Sequence, residues 1–239
     1  MKAWAPTAVF LLAAAAAAQE PAAKKWKDSA ELSFLSASGN SNAQTASAKN
    51  SASYAFDALT KAEVAAGALG ARNEGKAHAE QYHAQEKVSR KLDDRDYLFQ
   101  RYRWDRNRFA GVAHRHSVSM GAGREFFKTP ADLLIGELSP GYLYEERIKE
   151  KRKKFVSLRA YSRYIRDITA TAKFSQEASC TQSLMDKRDV RLNTETTLTA
   201  TITSALSVKN SFVWHHDSRP PSGKRKDDTL LSVALIASF

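Results

Sequence analysis

The chain has a single cysteine, Cys180, so no intramolecular disulfide can hold it together. It also lacks a second long apolar run. Beyond the N-terminal segment no stretch approaches the roughly 20 residues that a spanning helix needs, which leaves strands as the only route across a membrane. No cysteine or third histidine stands at the spacing of a structural metal site. Gly67, Gly70, Gly121 and Gly123 form no phosphate-binding loop, and in strand-like surroundings they mark bends or close backbone approaches. Acidic residues are outnumbered, 26 against 37 basic ones, for a formal charge of +11. The 43% hydrophobic and 26% charged composition, with a mean hydropathy of -0.49, would by itself suit an ordinary soluble domain.

The N-terminus points to export. Met1-Lys2 is a short basic region, Ala8 to Leu12 with Ala13 to Ala18 is an apolar one, and Ala16-Ala17-Ala18 supplies small residues for cleavage before Gln19. Residues 1–18 therefore read as a signal peptide, 19–25 as a short leader, and 26–239 as the folded domain. Cleavage would remove only Lys2 among the charged residues, leaving 36 basic against 26 acidic ones, or +10. A basic exported surface suits lipopolysaccharide phosphates, anionic lipids or anionic solutes.

From Ser29 onward the hydrophobic pattern has period two. Ala30, Leu32 and Phe34 alternate with Ser29, Glu31 and Ser33, and Leu206, Val208, Phe212 and Trp214 alternate with Ser207, Lys209 and Ser211. Further segments of this kind predict about twelve strands, an even number that returns the last strand beside the first. Tight turns are expected at 57–60, 93–96, 128–132, 166–169 and 200–201. Longer loops are expected at 36–43, 72–79, 105–112, 145–154, 181–188 and 215–227. Short turns alternating with longer loops predict an antiparallel barrel of the outer membrane of a Gram-negative bacterium, with both termini periplasmic.

A soluble lipocalin-like barrel alternates too, with its apolar face inward. Three features favour the inverted arrangement. Aromatic residues collect at the two ends of the apolar register: Trp26, Tyr54, Phe56, Phe126, Tyr164 and Phe239 at one, Phe34, Tyr82, Trp104, Tyr142, Tyr144, Phe212 and Trp214 at the other. Between them the apolar stripe uses small residues such as Ala46, Ala48, Ala66, Ala68, Ala160 and Ala172, which would fill a soluble core poorly but need only be uncharged against lipid. The chain also ends Leu231, Val233, Leu235, Ala237, Phe239 on one face, with the terminal Phe239 expected to act as an assembly signal for the barrel-insertion machinery.

Trp26 through Phe34 leading into Ser38-Gly39-Asn40-Ser41-Asn42, Asp105-Arg106 to Phe109, Gly121-Ala122-Gly123, Pro140-Gly141-Tyr142 and the closing Lys226-Asp227-Asp228 through Phe239 occur in an order that resembles the salt-induced outer-membrane protein family (YdiY-like), a family of unknown function. The likeness runs over nearly all of the chain after residue 18. It implies an outer-membrane barrel with no established activity or ligand, and it carries no functional residues.

The chemistry in the residues themselves is sparse. Ser117, His116 and Asp105 could supply a hydrolase triad, but nothing in the spacing fixes their geometry. His114-x-His116 and His215-His216-Asp217 are incomplete ligand sets; they and His78 read as polar residues in or beside loops. The expectation is no enzyme, no cofactor and no metal. Basic runs at Lys149 to Lys154 and Lys224 to Lys226 read as solvated loops or neighbours of lipopolysaccharide, not as a nucleic-acid site. Systematic charge lies only on the inward register. There Arg101, Arg103, Arg115, Arg159, Arg163, Lys173 and Arg191 join Lys27, Lys49, Lys61, Lys87, Lys91 and Lys209 against Glu31, Glu63, Glu137, Glu177 and Glu195. Either this is a hydrated, anion-favouring lumen, or the charges interlock and seal a structural or surface-binding barrel. Oligomeric state is open.

Overall fold

The computed structural model describes residues 25–37 and 43–239; the signal-peptide reading for 1–18, the leader up to residue 24 and the Ser38 to Asn42 motif lie outside them. Twelve strands follow in order: β1 (Trp26–Ala37), β2 (Ala43–Ala55), β3 (Thr60–Asn73), β4 (Lys76–Lys91), β5 (Asp96–Asn107), β6 (Val112–Lys128), β7 (Asp132–Arg147), β8 (Lys153–Asp167), β9 (Ala172–Ser183), β10 (Val190–Thr201), β11 (Leu206–Asp217) and β12 (Asp227–Ser238). Each pairs antiparallel with its chain neighbours, and β1 pairs with β12, so the sheet is a closed barrel. The shortest strands have 12 residues. At a rise of about 3.3 Å per residue they are about 40 Å long, and at a tilt of about 40° they cover the ~30 Å of a hydrocarbon core.

The turns nearest the chain termini share one device. Asp57 Oδ1 accepts hydrogen bonds from the Leu59 and Thr60 amides, both at 2.7 Å, and Asp93 Oδ1 does the same for Arg95 and Asp96. Those amides favour the ionised carboxyl and hold Asp57 and Asp93 below the usual carboxylate range. Thr129, Thr169 and Thr203 do the same work with a hydroxyl, accepting from the amides of Asp132, Ala172 and Leu206. A short polar side chain that bonds its own backbone two and three residues on closes a hairpin locally.

Two connections differ from the sequence reading. The loop expected at 72–79 is a two-residue turn: Asn73 pairs with Lys76, and Glu74 and Gly75 take φ of 49° and 74°. Two successive positive φ values match the right-handed strand twist, and Gly75 meets the second at no steric cost. The turn expected at 200–201 comes later, at 202–205, because β10 runs on to Thr201. Strands also extend further than expected into the other loops, so the contrast in loop length between the two ends is smaller than the sequence suggested.

The ladders assign every side chain to a face. One set runs Glu31, Lys49, Gly67, His83, Asp105, Arg115, Glu145 and Lys153 from strand to strand. Members of this set bond across strands that are not neighbours: Lys209 on β11 meets Glu31 on β1, and Arg191 on β10 meets Glu145 on β7. Such bonds can only cross the interior, so this is the lumen face. The other face carries exposed Leu32, Phe34, Val64, Leu98, Val118, Met120, Leu138, Leu231 and Val233. An apolar exterior over a charged interior is the reverse of a soluble barrel. The lumen also buries Phe99, Leu143 and Phe155, which a strict inside-polar pattern does not anticipate.

Glycine matters where the interior is tightest. A side chain at Gly123 would run into the Tyr97 ring, and one at Gly121 would strike the backbone of β7. Gly123 thus makes room for the Tyr97 ring, and Gly121 for the close approach of the β7 backbone.

A closed barrel keeps its ladders intact in detergent until heated. Unboiled protein should therefore migrate at a different position from boiled protein in a denaturing gel, with a far-ultraviolet spectrum dominated by strand. Recovery as a soluble monomer, without detergent and without heat-dependent migration, would refute a membrane-embedded barrel.

Candidate functional site

The lumen is organised as stacked charge clusters, the densest at the loop end. Glu145 is fully buried there. Its Oε2 accepts from Arg115 Nε at 2.6 Å and Arg191 Nη1 at 2.9 Å, and its Oε1 from Arg147 Nε at 2.7 Å. Arg191 lies also 3.6 Å from Asp217 and 3.8 Å from Asp189, while Lys153 reaches Asp189 at 2.8 Å. Beneath them the Phe155 ring underlies both Arg191 and Lys153. Arg103 beside this group forks onto Asp105 at 2.6–2.9 Å.

The β11–β12 loop folds over this cluster. Arg147 donates to the Arg219 carbonyl at 2.7 Å and pairs with Glu150 at 2.8 Å, and Glu150 also accepts from the Ser222 amide. These two donors hold the Glu150 carboxyl below its ordinary range, Arg147 being the larger influence. Ser218 ties the same loop to the β9–β10 loop through the Arg188 carbonyl at 2.6 Å and the Val190 amide at 2.8 Å. Beside the cover is a groove of about 460 Å³ lined by Arg147, Lys151, Arg152, Lys153, Asp186, Arg219 and Pro220. Lys151 and Arg152, from the basic run expected to be a solvated loop or a neighbour of lipopolysaccharide, are exposed along this open groove.

Midway down, Glu137 is held by Lys87, by the Tyr97 hydroxyl at 2.7 Å and by Arg159 at 3.6 Å. Toward the turn end, Glu177 takes Arg163 at 3.1 Å and the Tyr161 hydroxyl at 2.9 Å, and Lys209 is shared by Glu31 and Glu195. Lys173 pairs with Asp167 at 3.3 Å. Arg101 differs from its neighbours, since its hydrogen bond is to the Gln85 amide oxygen at 3.3 Å. The ladders thus put Arg101, Arg103, Arg115, Arg159, Arg163, Lys173 and Arg191 on one face but divide them among separate clusters. The sequence reading missed the carboxylates that neutralise several of them, namely Asp105, Glu145, Asp167 and Asp217. Their period-two registers would have revealed them had those segments been extended to their true ends.

Strand geometry separates the members of the candidate triad and of the His215-His216-Asp217 set. Ser117 and Asp105 face the lumen, but His116 faces outward, as it must one residue from Ser117. The triad is not assembled. His216 likewise points away from His215 and Asp217. All the histidines assigned to loops or loop ends lie in strands: His78 in β4, His114 and His116 in β6, His215 and His216 in β11. Among the described residues no group of three or more His, Cys, Asp or Glu side chains converges as a metal site.

Replacing Glu145 with Gln would leave three arginines around a neutral group. Removing one partner from a buried network costs about 3–5 kcal/mol, so the variant should unfold at a clearly lower denaturant midpoint in detergent. An unchanged midpoint would mean that water already screens the cluster.

Comparison with known proteins agrees with this geometry. A family model described as a protein of unknown function, DUF481, matches residues 30–239. The uncharacterized protein YdiY of Escherichia coli (strain K12) is 24% identical over 200 residues, spanning 84% of this chain and 77% of that protein. Among solved structures, the NanC porin is similar at a TM-score of 0.52 with 10% identity, over 89% of this chain and 97% of that one. The translocator domain of the autotransporter NalP from Neisseria meningitidis is similar at a TM-score of 0.51 with 9% identity, over 92% of this chain and 90% of that one. At such identities the structural likenesses speak for fold alone. The family match covers most of the sequence, and the chain belongs to the DUF481 family of proteins of unknown function, with the fold of an outer-membrane barrel.

Proposed function

We propose that the chain is a narrow outer-membrane pore that favours anions, with both termini in the periplasm and the longer loops outside. The supporting observation is the pairing in the lumen. Glu31, Glu137, Glu145, Glu177 and Glu195 each lie within salt-bridge distance of a cation. Arg101 and Lys49, by contrast, have no carboxylate within 4.0 Å among the described residues. The unbalanced charge is therefore positive, and low-dielectric walls focus its field along the lumen. In planar bilayers under a salt gradient the reversal potential should have the anion-selective sign. Replacing Arg101 and Lys49 together with Gln should weaken it. Replacing Lys151 at the rim should matter little in 1 M salt, where exposed charge is screened over about 3 Å. A cation-selective current would overturn the reading.

One observation favours a second reading. Glu145 and its arginines fill the loop end beneath a folded loop, which suits a sealed barrel serving as a structural or surface-binding protein. Absence of conductance from correctly folded protein would support it. We also propose that Phe239 acts in assembly. Its amide donates to the Asp28 carbonyl at 3.0 Å, beside the β1–β12 seam, so deleting it should lower the yield of heat-modifiable barrel in cells. Normal yield would show that the residue is incidental.

A further inference from the structure

The outer face at the loop end carries a row of polar groups beside an apolar belt. Trp104, His116, Tyr144 and Lys154 are direct cross-strand partners in one row over β5, β6, β7 and β8. Each alternates with lumen residues, so all four are on the outside. At about 4.8 Å between strands the row is about 14 Å wide. His114 lies two residues from His116 on the same strand face, and the two rings stack at 6.4 Å.

The hydrogen bonds fix what these rings offer. Indole is only a donor, so the 3.2 Å bond from Trp104 Nε1 occupies the lone pair of His114 Nδ1. A neutral His114 therefore carries its proton on Nε2. His116 Nδ1 is engaged by the Tyr102 hydroxyl at 2.8 Å. Neither Nε2 has a hydrogen-bond partner among the described residues. Arg106 on β5 and Lys154 on β8 are exposed at the two sides of this patch, with no carboxylate within 4.0 Å among the described residues. Toward mid-barrel the same strands present exposed Val118, Met120, Tyr142 and Val156. Unpaired imidazole nitrogens, an N–H donor at His114 among them, would be costly against pure hydrocarbon, and polar groups kept on a membrane-facing surface have partners there.

We propose that this patch is a headgroup site for a phosphorylated glycolipid of the leaflet surrounding the loop end. Its phosphate is met by the His114 and His116 Nε2 groups and by Lys154 or Arg106, while its acyl chains lie along Val118, Met120 and Val156. Phosphate is the fitting group because the patch offers several donors, and with Glu146 opposite His114 matched by Arg152 at 3.5 Å, Arg106 and Lys154 leave the net charge positive. The continuous apolar belt below it selects a lipid-borne phosphate over a free one. The site rests on the barrel being embedded in a membrane and is independent of whether the lumen conducts.

The test uses the purified full chain in detergent, titrated with diphosphorylated lipid A and read by native mass spectrometry. A single tight adduct is expected, with binding at least about tenfold weaker for lipid A stripped of its phosphates, since charge-assisted bonds are lost. The double variant His114→Gln, His116→Gln should lose a comparable factor. Lys154→Gln, a single exposed change, should weaken binding while leaving heat-dependent gel migration intact. Equal binding of phosphate-free lipid A, or no effect of these variants, would overturn the proposal. So would displacement of the lipid by an equal concentration of inorganic phosphate, which would mark a site for a free anion.

Discussion

An unpaired backbone N–H or C=O in hydrocarbon costs several kcal/mol, and the whole arrangement follows from leaving none on the outer surface. Twelve strands bond to chain neighbours and the remaining edge is removed by pairing β1 with β12. Once the ladder is closed, period two leaves each strand one lipid face and one lumen face. A solvent that asks only for the absence of charge accepts Ala46, Ala48 and Ala68 as readily as Leu231. The interior then takes most of the long charged side chains, and there they have to satisfy one another.

That second requirement explains the clusters. A lone charge in a narrow lumen is poorly solvated, so opposite charges meet across the interior even between strands far apart in the chain. Glu145 on β7 draws Arg115 from β6 and Arg191 from β10, and Lys209 on β11 draws Glu31 from β1. These contacts set the bore as much as the number of strands does. They also make the positive charge at Arg101 and Lys49 conspicuous, since both are among the lumen cations that pairing leaves over.

The strands and their faces were legible because alternation is a local property, visible in Leu206 to Trp214 without knowledge of the neighbours. The chain's family was legible for a similar reason, through short motifs in fixed order. What stayed hidden depends on partners distant in sequence. Arg115 could be placed in the lumen from its register, but its neutralisation by Glu145 appears only when β6 and β7 are aligned. The Glu74-Gly75 turn was overlooked because a non-glycine residue with positive φ leaves a weak local signature. His78 and the His215-His216 pair were set in loops because polar residues near a strand end resemble a loop until the ladder is seen to continue through them.

The seam has a consequence for the connectivity of the ring. Every ladder except one joins segments adjacent along the chain, and the exception brings the Asp28 backbone against that of Phe239, with hydrogen bonds in both directions. The order of strands around the barrel is thus cyclic, and the break between first and last strand is a matter of where the polypeptide was cut. Joining Phe239 to Trp26 by a short linker and opening the chain at Ala58, Asp94 or Ser204 would preserve all twelve ladders. The ladders form a ring of hairpins in which the hydrogen-bonding pattern singles out no strand as the first.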